Sequence, residues 1–323
     1  MTVGDGGMIW KRTGWYVQPR SARDVMRILG GIGVYSAGQR FAWRGMSSAD
    51  FELQSSLHRR LGFHAAEEDL RAAEVAILSR AREWGLGVTE TGHVDDLQLL
   101  ADLQHYDVPT RLIDFTSNPM TALWFACQDA PEKGGKYDRR IARSGVVVAL
   151  NITKWPRHTS VGDPHRGITW DQLGDPRGAT LKHALDLAVP FVVDQSVPNS
   201  RLRAQEGFFI ASAVPEPKGL ARYFQPFASL SIDAARGNPE ELAARLTEER
   251  GRGNPQLVPF VAVIIGAGLK RKLLSYLENS YNRHPGALFP DYQGFARYGP
   301  PVLAPVLRRA RPAPASKQSD AGS

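Results

Sequence analysis

The sequence predicts an α+β fold in which a single domain is built on one mixed or antiparallel sheet with flanking helices. Three observations lead there. Apolar positions at helical spacing and runs rich in Val, Ile and Phe both occur, yet they do not alternate in the strand-helix rhythm of a doubly wound sheet. The chain has 323 residues, 42% apolar and 23% charged. A chain of that size and composition buries about three-quarters of its unfolded surface and stands without a metal or a disulfide. The single cysteine, Cys127, excludes an internal disulfide and a cysteine-based zinc finger, and suits a reducing cytosol.

Ser21 with Asp24 reads as an N-terminal cap for a helix through Leu29, closed by Gly30 and Gly31. Strand composition follows at Tyr35 to Trp43. Leu70, Ala73, Ile77, Ala81 and Trp84 recur at helical spacing and predict a helix over Ala66 to Trp84, with Glu67, Glu68, Arg71 and Glu74 on its charged face. A second helix runs over Asp95 to Tyr106 and buries Leu99, Leu100 and Leu103. Asn118 before Pro119 is a cap and first-turn pair that starts a short apolar helix through Cys127. Asn238 and Pro239 repeat the device before Glu240 to Arg250, which Gly251 ends. Further strands are predicted at Gly145 to Asn151, Gly207 to Ala211, Arg222 to Ile232 and Val258 to Ile265. Two stretches read as loops, Ala130 to Ser144 and Arg157 to Gly178.

The longest apolar run, Phe260 to Ala267, is far short of the roughly 18 residues of a membrane helix, and Met1 to Met8 lacks the features of a secretory signal. A cytoplasmic protein without membrane contact is expected. Of the +7 formal charge, Arg308, Arg309, Arg311 and Lys317 against Asp320 place +3 in the last 23 residues and leave +4 on the rest. So mild a balance gives no strong phosphate-tracking surface. Residues 1–34 read as an N-terminal strand and helix of the same domain, and residues 300–323 as a disordered tail rich in Pro, Ala and Arg. That tail could supply weak contact with nucleic acid.

Motifs of the GxxxxGK, HExxH, GxSxG and dinucleotide-fingerprint types are absent. The eight histidines are scattered, so no metal site is expected. Three polar clusters stand out inside apolar sequence: Trp43-Arg44-Gly45, then Gln104-His105-Tyr106 through Thr110-Arg111 to Asp114-Phe115-Thr116-Ser117, and Arg203-Ala204-Gln205-Glu206-Gly207. Buried polar groups need partners, so each cluster holds either a site or the fold.

At these clusters the sequence resembles the FRG domain, a bacterial and phage-associated family. The match runs through Phe41-Ala42-Trp43-Arg44-Gly45, Leu53 to Arg59, Leu103 to Thr116, Ala122 to Ala126, Arg203 to Phe209, and Leu288-Phe289-Pro290-Asp291. The resemblance implies an FRG domain over residues 35–299. Asp107 stands where the family commonly has Gly, which implies a left-handed backbone there. The order of the clusters is more distantly similar to ADP-ribosyltransferases, with a sheet of that type possible. There an Arg or His on the first strand grips NAD, a Ser/Thr-rich element on a second leads into a helix, and a Glu or Gln on a third stands at the reacting ribose.

That likeness implies NAD, or another nucleotide, as substrate and a role as a toxin or phage-defence effector on an unknown macromolecular target. Arg44, Gly45, Arg111, Asp114, Thr116 and Ser117 would bind the nucleotide. Gln205 or Glu206 would act at the scissile bond, with Tyr106 or His105 at the nicotinamide or ribose. The alternative is a non-catalytic ligand-binding sensor using the same pocket. Each residue also has a structural reading: Arg44 paired with Asp114, His105 at a helix end, Arg111 locking a loop, Thr116 and Ser117 as turn and cap residues. Residues after Leu307 offer no periodic apolar face, so truncation there should leave the melting temperature within about one or two degrees, as a surface change does. It should also weaken any nucleic-acid binding most at low salt, read by titration at two ionic strengths.

Overall fold

Six consecutive buried residues in Phe260–Ile265, and six more at the start of Gly145–Asn151, mark strands covered on both faces. The computed structural model describes residues 7–35, 38–62, 64–90, 92–94, 96–129, 143–159, 190–195, 198–214, 230, 232, 236–247 and 258–299. In chain order the elements are α1 (Met8–Lys11), β1 (Tyr16–Val17), α2 (Ala22–Tyr35), β2 (Phe41–Met46), α3 (Ser56–Leu61) and α4 (Glu67–Glu83). Then come β3 (Val88–Thr89), β4 (Gly92–His93), α5 (Asp96–His105), β5 (Ile113–Thr116), α6 (Pro119–Cys127), β6 (Gly145–Asn151) and β7 (Arg157–Thr159). The rest are β8 (Phe191–Asp194), α7 (Ser200–Ala204), β9 (Gly207–Ala211), α8 (Pro239–Thr247), β10 (Phe260–Ile265), α9 (Ala267–Tyr281), α10 (Pro285–Leu288) and α11 (Tyr292–Tyr298).

The α+β class stands. Among the described residues, one mixed sheet of eight strands has the order β1-β10-β6-β2-β5-β9-β8-β7, with a separate β3-β4 pair. Its interior pairs are antiparallel and its two outermost pairs parallel. The ladder is uneven. β2 shares six registered pairs with β6, but only one, Trp43 opposite Thr116, with β5. Beyond that pair the two strands part, and the sheet is nearly split in the middle.

Packing follows the split. Trp43, Val147, Ala149, Val261 and Val263 carry a core with α2, α6, α8 and α9. Phe191, Val193, Phe209 and Ala211 carry another with α4 and α5. The register puts Thr116 beside Trp43, and Asp114 beside Phe209, on this same face. Two helical groups thus flank the split. The opposite face is one continuous core through Ala42, Val148, Ile210 and Ile264. Each fully buried Val, Ile or Phe in these layers contributes about 1.5–3 kcal/mol relative to exposure. The Lys270 ammonium donates to the carbonyls of Ser47 and Gln128 at 2.7 and 3.0 Å, tying the ends of β2 and α6 to α9.

Several expectations hold closely: the helix at 119–127 capped by Asn118, whose Oδ1 accepts from Met120 N–H, and the strands at 145–151 and 207–211. Others need correction. The helix begun at Ser21 does not stop at Gly30 and Gly31 but runs to Tyr35, because Val25, Ile28, Leu29 and Ile32 form one buried stripe across them. That burial outweighs the glycine cost of about 1 kcal/mol each. Tyr35 therefore ends a helix, and the strand expected at Tyr35 to Trp43 lies at Phe41–Met46. Arg157 does not begin a loop: Arg157–Thr159 pairs in parallel with Phe191–Asp194, a strand too short to stand out in sequence. The strand expected at Arg222 to Ile232 falls outside the described residues apart from buried Leu230 and Ile232. The loop at 130–142 and the tail also fall outside them.

The charged face of α4 is also corrected. Glu74 is fully buried, and Glu67 turns inward. Arg111, itself 2% exposed, donates through Nε and Nη2 to both oxygens of Glu74 at 2.8 and 2.7 Å, and through Nη1 to Glu67 at 2.9 Å. Burial pulls the Arg111 guanidinium down, but the two carboxylates more than offset it, so its pKa lies above the ordinary value. Glu67 also accepts from Val214 N–H at 2.9 Å. This network joins α4 to the start of β5 and the end of β9. Removing one member strands a buried charge, so Arg111→Met should cost about 3–5 kcal/mol in urea melts. Adding Glu74→Leu should recover part of that loss.

Candidate functional site

The split is occupied by a cleft. One lobe, about 650 Å³, is lined by Trp43, Arg44 and Gly45 of β2, Asp114 and Thr116 of β5, and one face of α6. A neighbouring lobe of about 1010 Å³ includes Met46, Asp50, Phe51, Glu52, Asp129 and Tyr298. Arg44, Gly45, Arg59, Phe125 and Phe289 line both, so the lobes meet at these residues.

Gly45 fixes the floor. A Cβ there would sit 1.7 Å from the carbonyl oxygen of Ala122, so β2 and α6 touch backbone to backbone. No other residue fits. Next to it, Arg44 Nη1 donates to the carbonyl oxygen of Asp114 at 2.5 Å and lies 3.7 Å from the Asp114 carboxylate. A side chain thus makes the cross-strand bond where the ladder has stopped. Burial lowers the Arg44 pKa; Asp114 pulls it back up, and the nearby Arg59 lowers it further. Burial likewise lowers Arg59, against Asp114. Arg59 thus opposes the charge of Arg44, and the Asp114 carboxylate counters both, leaving two guanidinium charges against one carboxylate.

Gln104 organises the wall from α5. Its Oε1 accepts from Thr110 Oγ1 at 2.7 Å and Ser56 Oγ at 3.4 Å, while its Nε2 donates to Leu112 O and Asp114 Oδ2, both at 3.3 Å. His105 lines the first lobe; burial, then the charge of Arg201, lower its pKa and favour the neutral imidazole. Asp107 has φ 63°, the left-handed turn expected there.

The third cluster comes apart at Gln205 and Glu206. Gln205 caps α7 and lines the first lobe; its Nε2 donates to Leu288 O at 3.0 Å, and its carbonyl accepts from Thr116 Oγ1 at 2.6 Å. Glu206 follows with φ 51°, and this left-handed residue turns its side chain away. Its carboxylate accepts from Asn118 Nδ2 at 2.9 Å and Arg283 Nη2 at 2.8 Å.

Of the ten residues singled out from the sequence, the structure gathers Arg44, Gly45, His105, Asp114, Thr116 and Gln205 around one lobe. Tyr106 is 65% exposed and packs edge-on against His105 outside the lining. Ser117 donates to Glu206 O, and Arg111 belongs to the buried network with Glu67 and Glu74.

Sequence reasoning missed Arg59, Thr121, Arg201 and Phe289. Arg201 forms a fork with Asp291 through two 2.7 Å hydrogen bonds and lies 5.4 Å from the Phe289 ring centre. Phe289 packs on Trp124, Phe125 and Tyr298. The segment from Arg283 to Tyr298 is thereby fastened as the cleft's outer wall. Arg59 and Phe289 lie within the stretches that resemble the FRG domain, but nothing in the sequence shows that they meet.

The Arg201 hydrogen bonds lower the Asp291 pKa against the opposing effect of burial. A depressed carboxylate pKa gives stability that is present above the unfolded value and lost as pH falls through the folded one. Protection from hydrogen exchange over 285–298, taken relative to the intrinsic rate at each pH, should therefore be flat from neutral pH down to about 4 and fall only below that, the ordinary aspartate range. Asp291→Asn should make exchange fast throughout.

Among known proteins, residues 39–134 match the family model of the FRG domain. The chain therefore carries an FRG domain, which holds Arg44, Gly45, His105, Asp114 and Thr116, whereas Gln205, Arg201 and Phe289 lie beyond the matched span. No curated protein and no solved structure matches the chain. Among the described residues no helix is long and apolar enough to cross a membrane.

Proposed function

We propose that the cleft binds NAD or a related dinucleotide by its pyrophosphate. The carrying observation is the match of shapes and charges: two lobes with aromatic walls join at Arg44 and Arg59, as a dinucleotide's two ring-bearing ends join at an anionic bridge. The buried Nε of Arg44 has no hydrogen-bond partner. An incoming phosphoryl oxygen would satisfy it with a charge-assisted bond. Phe125 and Phe289, shared by both lobes, would exclude water from that bridge. In this reading the chain is a ligand-binding module, since the carboxylate beside Gln205 is engaged by Arg283 and Asn118 rather than directed into the cleft.

A second reading, ADP-ribosyl transfer by a toxin or phage-defence effector, is favoured by one observation: Arg44, Thr116 and Gln205 line a single lobe in the order that the distant likeness implies. NAD would supply the ADP-ribosyl group. This chain would hold the pyrophosphate at Arg44 and stand Gln205 by the ribose, with neutral His105 in the same lobe.

Calorimetric titration with NAD tests the first reading. Wild-type protein should bind, and Arg44→Ala should weaken binding by about tenfold or more, the effect of losing a hydrogen bond to a charged group. Nicotinamide release separates the two readings. A binding module releases none from NAD, whereas in transfer the wild-type protein releases it and Gln205→Ala does not. Wild-type protein that fails to bind NAD, ADP-ribose and inorganic pyrophosphate would overturn both.

A further inference from the structure

Two residues that line the first lobe each carry a buried polar atom without a hydrogen-bond partner: Nε of Arg44 and Oγ1 of Thr121. Thr121 is fully buried. A hydroxyl in such a place loses its water and gains nothing, whereas valine has nearly the same shape without that penalty. The two residues flank a close approach of β2 to the α6 backbone. Gly45, next to Arg44, lies directly against Ala122, next to Thr121.

Thr121 is the third residue of α6, a nine-residue helix capped by Asn118. Pro119 has no N–H and Asn118 takes that of Met120, so the helix dipole alone places partial positive charge there. Arg44 Nε can only donate, and a threonine hydroxyl can donate or accept. An anionic oxygen satisfies both atoms and the helix end together; an amide or ammonium group would oppose Arg44.

We propose that Thr121 is a ligand-binding residue which, with Arg44 Nε, forms a phosphoryl-oxygen subsite at the start of α6. The proposal rests on the reading of the cleft as a dinucleotide site and assigns one of the bridge's oxygens to a residue outside the three polar clusters. The hydroxyl is held in readiness for the ligand and contributes nothing to the fold.

That asymmetry makes the test decisive. Thr121→Val and Thr121→Ser would be compared with wild type by thermal melting without ligand, and by calorimetric titration with NAD and with inorganic pyrophosphate. The valine variant should melt at the same temperature or higher and bind both probes about tenfold more weakly, while the serine variant stays within about twofold of wild type. A valine variant that binds both probes like wild type overturns the proposal and leaves the cleft reading intact. A valine variant that melts well below wild type, or fails to fold, shows a structural hydroxyl and also overturns it. Wild-type protein that binds neither probe removes the cleft reading and the proposal together.

Discussion

The ladder between β2 and β5 is one residue pair long, and the rest of the molecule is arranged around that interruption. An antiparallel ladder normally satisfies every second N–H and C=O along a strand. Here the strands separate after Trp43 and Thr116, and the bond that should follow is made by a guanidinium from Arg44 to the Asp114 carbonyl. A side chain that replaces main chain can bond a carbonyl and still present charge to a ligand. The core layers respect the same line, one helical group on each side, so the cleft sits where neither group covers the sheet.

Holding such a gap open requires rigid walls. On one side Gly45 lets β2 rest on the α6 backbone, and Lys270 ties the ends of both to α9. On the other, Arg111 with Glu67 and Glu74 clamps α4 to β5 and β9. A buried ion pair is a weak source of stability but a strict geometric one, because its charges tolerate no other partner. The outer wall is of a different kind. Its fastenings to Gln205, Glu206 and Arg201 are surface or half-buried bonds, the class of contact that opens before the core does.

Local features were legible in the sequence: the Asn118-Pro119 helix start, the apolar strands, the left-handed turn at Asp107, and the polar residues that gather at β2, β5 and α7. What escaped depends on the far partner. Glu67 and Glu74 are spaced like residues of a solvated helix face, and only Arg111, some forty residues on, makes their burial tolerable. Gly30 and Gly31 look like a helix end until the apolar stripe continues on both sides. Gln205 and Glu206 are adjacent and similar in sequence, yet a single left-handed residue sends one into the cleft and the other to Arg283. Phe191–Asp194 is four residues long, below the length at which alternation can be counted.

A sheet parted in the middle has two inner edges besides its two outer ones, and edges invite other chains to add a strand. This chain limits each of them. Among the described residues the outer strands are two and three residues long, too short to template much pairing. At the inner edges Arg44 bridges the gap, and Phe289 stands over it between the lobes. A small molecule can enter where an extended polypeptide finds no continuous row of free main-chain groups. The same bridge that shapes the pocket thus guards the protein against self-association through its own opened sheet.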